Sequence, residues 1–143
     1  MASKVYSTTF CGIECRTVEV QADITAGLPN FFIVGLGGTS VQESKQRVRS
    51  SIKNSGAAFP MQRKTINLAP AEIRKQGTLF DLPIAISLLV ASGQIPEEPF
   101  SKAIIVGELT LDGTVKPING ALAIAQHAAE NSFEKIILPE GNS

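Results

Sequence analysis

Three short runs hold much of the cationic chemistry of this chain: Lys45, Arg47, Arg49 and Lys53, then Arg63 and Lys64, then Arg74 and Lys75. Guanidinium and ammonium groups gathered in this way hold phosphate, as bidentate forks or as point charges. The same residues also make an ordinary solvated helix face or a subunit contact. Thirteen basic and thirteen acidic residues cancel. That balance argues against a dedicated nucleic-acid domain, which carries a basic excess, and leaves room for a local basic patch.

The other reactive residue types are sparse. His127 is the single histidine, with no acid or nucleophile paired to it in sequence, so it reads as a surface or rim residue. Cys11 and Cys15 are too few for a disulfide framework or, with one distant histidine, for a zinc site. Ser87 and Ser92 lie on or at the end of an apolar helix and read as small packing residues. Glu108 and Asp112 belong to a hairpin. Gly35, Gly37 and Gly38 follow a strand and precede a helix, where backbone N–H groups can cradle an anion. The pattern is neither G-x-G-x-x-G nor a P-loop, so a tight structural turn is the expectation. No Walker lysine follows.

These residues need elements to place them. Period-two patterning predicts strands over Val5–Phe10 and Glu14–Ile24, and short strands over Phe31–Val34 and Thr65–Leu68. A helix is expected from about Val41 to Asn54, capped by Thr39 or Ser40, with Val41, Val48 and Ile52 as its apolar stripe. Lys45, Arg49 and Lys53 flank that stripe, and Glu43 is spaced to pair with Arg47. Asp81 is expected to cap a second helix, apolar nearly all round, from Leu82 to Ala91. Ala103–Leu109 reads as one buried strand, Leu111–Thr114 as an Asp-Gly hairpin turn and Val115–Ile118 as the return strand. Asn119 would cap a helix over Ala121–Glu130, and Lys135–Leu138 is the last strand. This order predicts an α+β fold with a mixed sheet packed against helices.

With 143 residues the chain fits one domain, residues 1–143. No N-terminal signal pattern and no apolar run of membrane-spanning length are present. A reducing, cytoplasmic setting and no membrane partner are expected. The sequence after the last strand does not read as a natural tail, so an excised piece of a longer protein is expected.

Two segments resemble the catalytic strings of Lon-type protease domains. In those domains a serine stands in a G-P-S-A-G-like turn, and a lysine opens the helix after a G-E-x-x-x-x-G-x-x-x-P-I-x-G run. Here Gly77-Thr78-Leu79-Phe80-Asp81 occupies the first and puts Leu79 at the serine position. The second is matched from Gly107 to Gly120 and puts Leu122 at the lysine position. Leucine neither attacks a carbonyl nor accepts a proton, so the resemblance implies no catalytic residue in this chain.

Nearly the whole chain is similar to the N-terminal domain of the ComM/YifB group of magnesium-chelatase-like AAA+ ATPases. The similarity is carried by V-G-L-G-G-T-S-V-Q-E-S-K-Q-R-V-R at Val34–Arg49 and I-N-L-A-P-A-E-I-R-K-Q-G at Ile66–Gly77. Phe80–Ile86 and Val106–Gly113 continue it. Gly38 departs from the small acidic residue expected there. The resemblance implies a ribosomal protein S5 domain 2-like fold, shared with Lon proteolytic domains and with the non-proteolytic Lon-like domain of RadA. It implies no cofactor in this chain, with ATP and magnesium serving an ATPase module elsewhere in the parent. The implied partners are that module, neighbouring subunits of a ring, hexameric in some members, and DNA. The leading expectation is a non-catalytic scaffold or substrate-guiding module of an ATP-driven DNA motor. A Ser–Lys peptidase and a stand-alone RNA-binding module are the alternatives.

Overall fold

Alternation of apolar and polar residues decides which face of each strand is buried, and the sheet follows from it. In the computed structural model the structure describes residues 2–11, 14–36, 40–71, 75, 78–112, 114–116 and 121–137. A long hairpin opens the chain, β1 (Ala2–Cys11) and β2 (Glu14–Thr25). Then come β3 (Asn30–Val34), α1 (Ser40–Asn54), β4 (Arg63–Ala69) and α2 (Asp81–Ala91). A single 3₁₀ turn at Glu98–Phe100 leads to β5 (Ala103–Ile105). The short strands β6 (Glu108–Leu109) and β7 (Val115–Lys116), then α3 (Ala121–Glu130) and β8 (Lys135–Ile137), complete the order.

Six strands form one sheet in the order β3-β4-β2-β1-β5-β8. The β1/β2 and β2/β4 pairs are antiparallel, whereas β3/β4, β1/β5 and β5/β8 are parallel. The fold is therefore α+β with a mixed sheet, as expected. One sheet face presents Val5, Val18, Val20, Ala22, Ile66 and Leu68 to α1 and α2, joined by Val48, Ile52, Ile84 and Leu88 in one buried cluster. The strand period puts Ile104 on the opposite face from Ala103 and Ile105. There it packs with Val106 and with Ile124 and Ala128 of α3. α2 is buried on most sides, consistent with its uniformly apolar sequence.

Three expectations need correction. The run Ala103–Leu109 is two strands. β5 stops at Ile105, and among the described residues β6 pairs only with β7, in a separate two-stranded sheet. Gly107 stands between them, where an added Cβ would lie 2.6 Å from Val115 Cγ1. Asp81 does not cap α2 with its side chain: it is the first helical residue, after Phe80. The early N–H groups of that helix already have backbone acceptors, Asp81 N to Thr78 O at 3.2 Å and Leu82 N to Gly107 O at 2.9 Å. Arg47 turns away from Glu43 and pairs with Asp81. The expected caps Thr39, Ser40 and Asn119 have side chains outside the described residues, as does Cys11.

Of the glycines in the expected tight turn only Gly35 is described; Gly37 and Gly38 lie outside the described residues. The φ of Gly35 is +99°, and a Cβ there would sit 2.6 Å from the Leu68 carbonyl oxygen. No helix among the described residues is long and apolar enough to cross a membrane.

Candidate functional site

Position 79, the serine position of the Lon-like string, is held by strand-like hydrogen bonds. The Gly107 N–H donates to Leu79 O at 2.9 Å while Gly107 O accepts from Leu82 N. The Leu79 side chain packs against both buried clusters, on either side of the sheet. Leu122 is 84% exposed on α3. Neither position carries an atom that can attack or exchange a proton, and a group at position 122 would stand in water.

Just after Leu79, a buried polar centre ties three elements together. Asp81 is 1% exposed and accepts from Arg47 Nε at 2.6 Å, from Ser44 Oγ at 2.8 Å and from the Leu109 N–H at 3.2 Å. Burial pushes the Asp81 carboxyl up, and Arg47, Ser44 and the Leu109 N–H work against that shift. The arrangement fixes α1, α2 and β6 relative to one another. α1 also reaches the hairpin turn directly: Ser51 Oγ donates to Thr110 O, and Asn54 Nδ2 donates to Leu111 O at 2.7 Å. Within that turn Asp112 Oδ1 accepts from Thr110 Oγ1 and from the Thr114 N–H. Glu108 pairs with Lys116 at 3.4 Å. Both acids therefore serve the hairpin.

The eight cations named from sequence separate into distinct environments. Arg47 is committed to Asp81, and Lys75 is 1% exposed with its ammonium donating to Pro70 O. The expectation of surface cations is corrected at both. Arg47 is drawn inward by a buried carboxylate, and Lys75 lies in the bridge that pairs with Leu36. Arg63 lies in β4 on the sheet face away from α1, its guanidinium 5.0 Å from the Phe32 ring centroid. Lys53 is exposed in the last turn of α1. Arg74 lies outside the described residues.

Lys45, Arg49 and Lys64 come together. They line one cleft of about 330 Å³ between the exposed flank of α1, the start of β3 and the segment entering β4. Lys45 and Arg49 meet there because residues four apart share a helix face. Lys64 arrives from below: it occupies the row of Ile66 and Leu68 that faces α1, and is 2% exposed. Its ammonium lies 4.8 Å from the Phe59 ring centroid and 5.9 Å from that of Phe31, and donates to Gln62 O at 2.8 Å. Arg49 lies over the same Phe59 ring at 5.4 Å. Burial pushes the Lys64 ammonium below the usual lysine range, and the neighbouring Arg49 charge adds to the shift. Sequence reasoning named all three cations. The burial of Lys64 was visible in the alternation Lys64-x-Ile66-x-Leu68.

Elsewhere, His127 sits at the rim of α3, its Nε2 2.8 Å from Thr17 Oγ1, and so helps dock that helix on β2. Cys15 is a half-buried free thiol, raised by burial. Among the described residues no group of three His, Cys, Asp or Glu side chains could hold a metal ion.

Comparison with known proteins agrees with the sequence resemblance. Residues 20–142 match the protein family described as subunit ChlI of Mg-chelatase. The chain is similar to the uncharacterized protein YifB of Escherichia coli K12, 41% identical over 140 residues, which is 98% of this chain and 28% of that protein. Competence protein ComM of Haemophilus influenzae is 37% identical over 139 residues, 97% of this chain and 27% of that protein. An uncharacterized protein of Mycobacterium tuberculosis is 36% identical over 97% of this chain and 28% of its own length. The chain thus spans little more than a quarter of the curated relatives it matches.

Proposed function

This chain belongs to the family of subunit ChlI of Mg-chelatase, and from that premise we propose that it is the non-catalytic N-terminal module of a larger magnesium-chelatase-like AAA+ ATPase. The observation that carries the reading is the pair Leu79 and Leu122. The Lon-like frame is kept in sequence, while its two reacting positions are aliphatic, one packed between the apolar layers and one in solvent. A frame kept without its chemistry serves assembly or guidance. The module would act as a scaffold around a ring of subunits, and its basic α1 flank would guide the substrate of the parent. We take that substrate to be DNA, moved by ATP-driven translocation or branch migration. The printed name of the ComM relative, a competence protein, supports this direction.

ATP and magnesium belong to the parent's ATPase module in this reading. The residues of this chain do not fit that pair: no Walker lysine follows Gly35–Gly38, and the described residues offer no acidic cluster for a divalent cation. No hydrolytic step is assigned to it.

The test is fluorescence anisotropy of labelled single-stranded and branched DNA with the parent protein, with and without residues 1–143, at two salt concentrations. Loss of salt-sensitive affinity on deletion supports guidance by this module. Unchanged affinity and unchanged ring assembly would reject both roles. With a labelled RNA strand added to the assay, preference for RNA over DNA would favour an RNA-binding module.

A further inference from the structure

The cleft between α1 and the β3–β4 edge has a charge arrangement that the scaffold role does not require. Among its described lining residues three are cationic and none is acidic. Among the described residues, none of the three lies within ion-pair reach of a carboxylate, unlike Arg47, Lys4 and Lys116. An ammonium held at 2% exposure against two phenyl rings, beside a guanidinium, is costly without a counter-charge. The ring faces offset part of that cost. They leave two of the three Lys64 N–H donors beyond the one given to Gln62 O.

The polar remainder of the lining also donates. Gln42 and Gln46 stand on the same helix flank, and Asn30 closes the opposite wall with its Oδ1 already accepting the Phe31 N–H at 2.8 Å, so its NH₂ is what it can offer a ligand. Phe31 and Phe59 are buried beneath the cations, so the floor offers no open ring for a base to stack on. The ligand is therefore chosen by charge and acceptor oxygens. A carboxylate brings one charge and two oxygens. A phosphomonoester brings up to two charges and three terminal oxygens, matching three cationic donors with amides around them. The volume lies at the small end of ligand sites, enough for an end group and its first attached atoms.

We propose that this cleft is a phosphomonoester-binding site, in which Lys45, Arg49 and Lys64 hold the terminal phosphate of a nucleic-acid strand or of a free nucleotide. The site goes beyond the module reading and stands without it, because it is tested on the cleft itself and not on the parent's motor activity.

The test is a titration of the isotope-labelled chain by heteronuclear NMR with five probes: inorganic phosphate, ADP, a short single strand with a 5′-phosphate, the same strand with a 5′-hydroxyl, and a glutamate-rich peptide. Saturable shifts are expected for Gln42–Arg49 of α1, Asn30–Phe31 and Phe59–Lys64. The Lys45→Gln/Arg49→Gln variant, changed only on the helix flank, should keep its circular dichroism and bind about tenfold more weakly or worse. Lys64→Met should remain folded and also lose binding. Dependence on the 5′-phosphate identifies a strand end as the source; binding of ADP or phosphate with no preference between the two strands identifies a free nucleotide. Three results would overturn the site: no shift at these residues with any phosphate probe, undiminished affinity in the folded double variant, or equal occupancy of the cleft by a glutamate-rich peptide.

Discussion

Arg47 and Arg49 stand two residues apart in the same helix, and their fates differ because two residues are about 200° of rotation. Arg49 is left on the flank of α1, while Arg47 is carried against α2 and meets Asp81. The value of that pair lies in not being broken. Asp81→Ala would leave a largely buried guanidinium, the Ser44 hydroxyl and the Leu109 N–H without their acceptor, and should cost about 3 kcal/mol in urea unfolding. Replacing both partners, as Arg47→Met/Asp81→Leu, should recover most of the loss, since no charge is then stranded. Equal losses in the two variants would count against this account. The Lon-like positions give a second expectation. The Leu79→Ser/Leu122→Lys variant should hydrolyse no fluorogenic peptide. A lysine at that exposed position keeps its ordinary pKa of about 10.4 and is protonated at neutral pH, unable to take the proton of the serine. Turnover above that of the unchanged chain would contradict it.

At the scale of elements, the β6–β7 hairpin is one piece whose stability follows pH. The Thr110 hydroxyl and then the Thr114 N–H hold the Asp112 carboxyl at about 2, below its ordinary 3.8. A carboxyl lowered in the folded state binds fewer protons there than in the unfolded chain. Its contribution is therefore complete above the ordinary value and is lost as pH falls toward about 2. In Asp112→Asn that acid-dependent loss should shrink, as read by the amide shifts of Thr110 and Thr114 over the same pH range. An unchanged acid profile would rule out Asp112 as its source. The elements themselves were largely legible in sequence, because a period of two or of 3.6 is a local property. Helix α3 was found with its bounds, and β1, β2 and β4 were recognised but drawn short. What sequence missed was non-local. The split of Ala103–Leu109 follows from Gly107, whose N–H and C=O bond to Leu79 O and Leu82 N and not to a neighbouring strand. The role of Asp81 follows from Phe80 O accepting the Ile84 N–H, the group an Asp81 cap would have bonded, since Pro83 has no N–H to offer. The eight cations were named correctly as charges. Which three share a cleft depended on how β4 lies beside α1, and no spacing along the chain encodes that.

Over the whole molecule, the sheet is covered unequally. α1 and α2 lie along one face, and α3 covers the other around β1, β5 and β8. The rest of that second face remains open toward β3, with Phe32 and Val34 exposed and Arg63 over the Phe32 ring. The proposed phosphate cleft opens on the α1 side of the same edge. Leu79 bears on both layers, since it packs against the cluster under α2 and the cluster under α3. In mechanical terms it is a rivet through the plate. A load applied to α3 passes to α2 through the sheet between them, and Leu79 with the Gly107 hydrogen bonds adds a direct route across it. Leu79→Ala should loosen that joint. Under force, the single rupture expected of the unchanged chain should divide into two, with α3 leaving first. A variant that still ruptures in one step would show that the sheet alone carries the load.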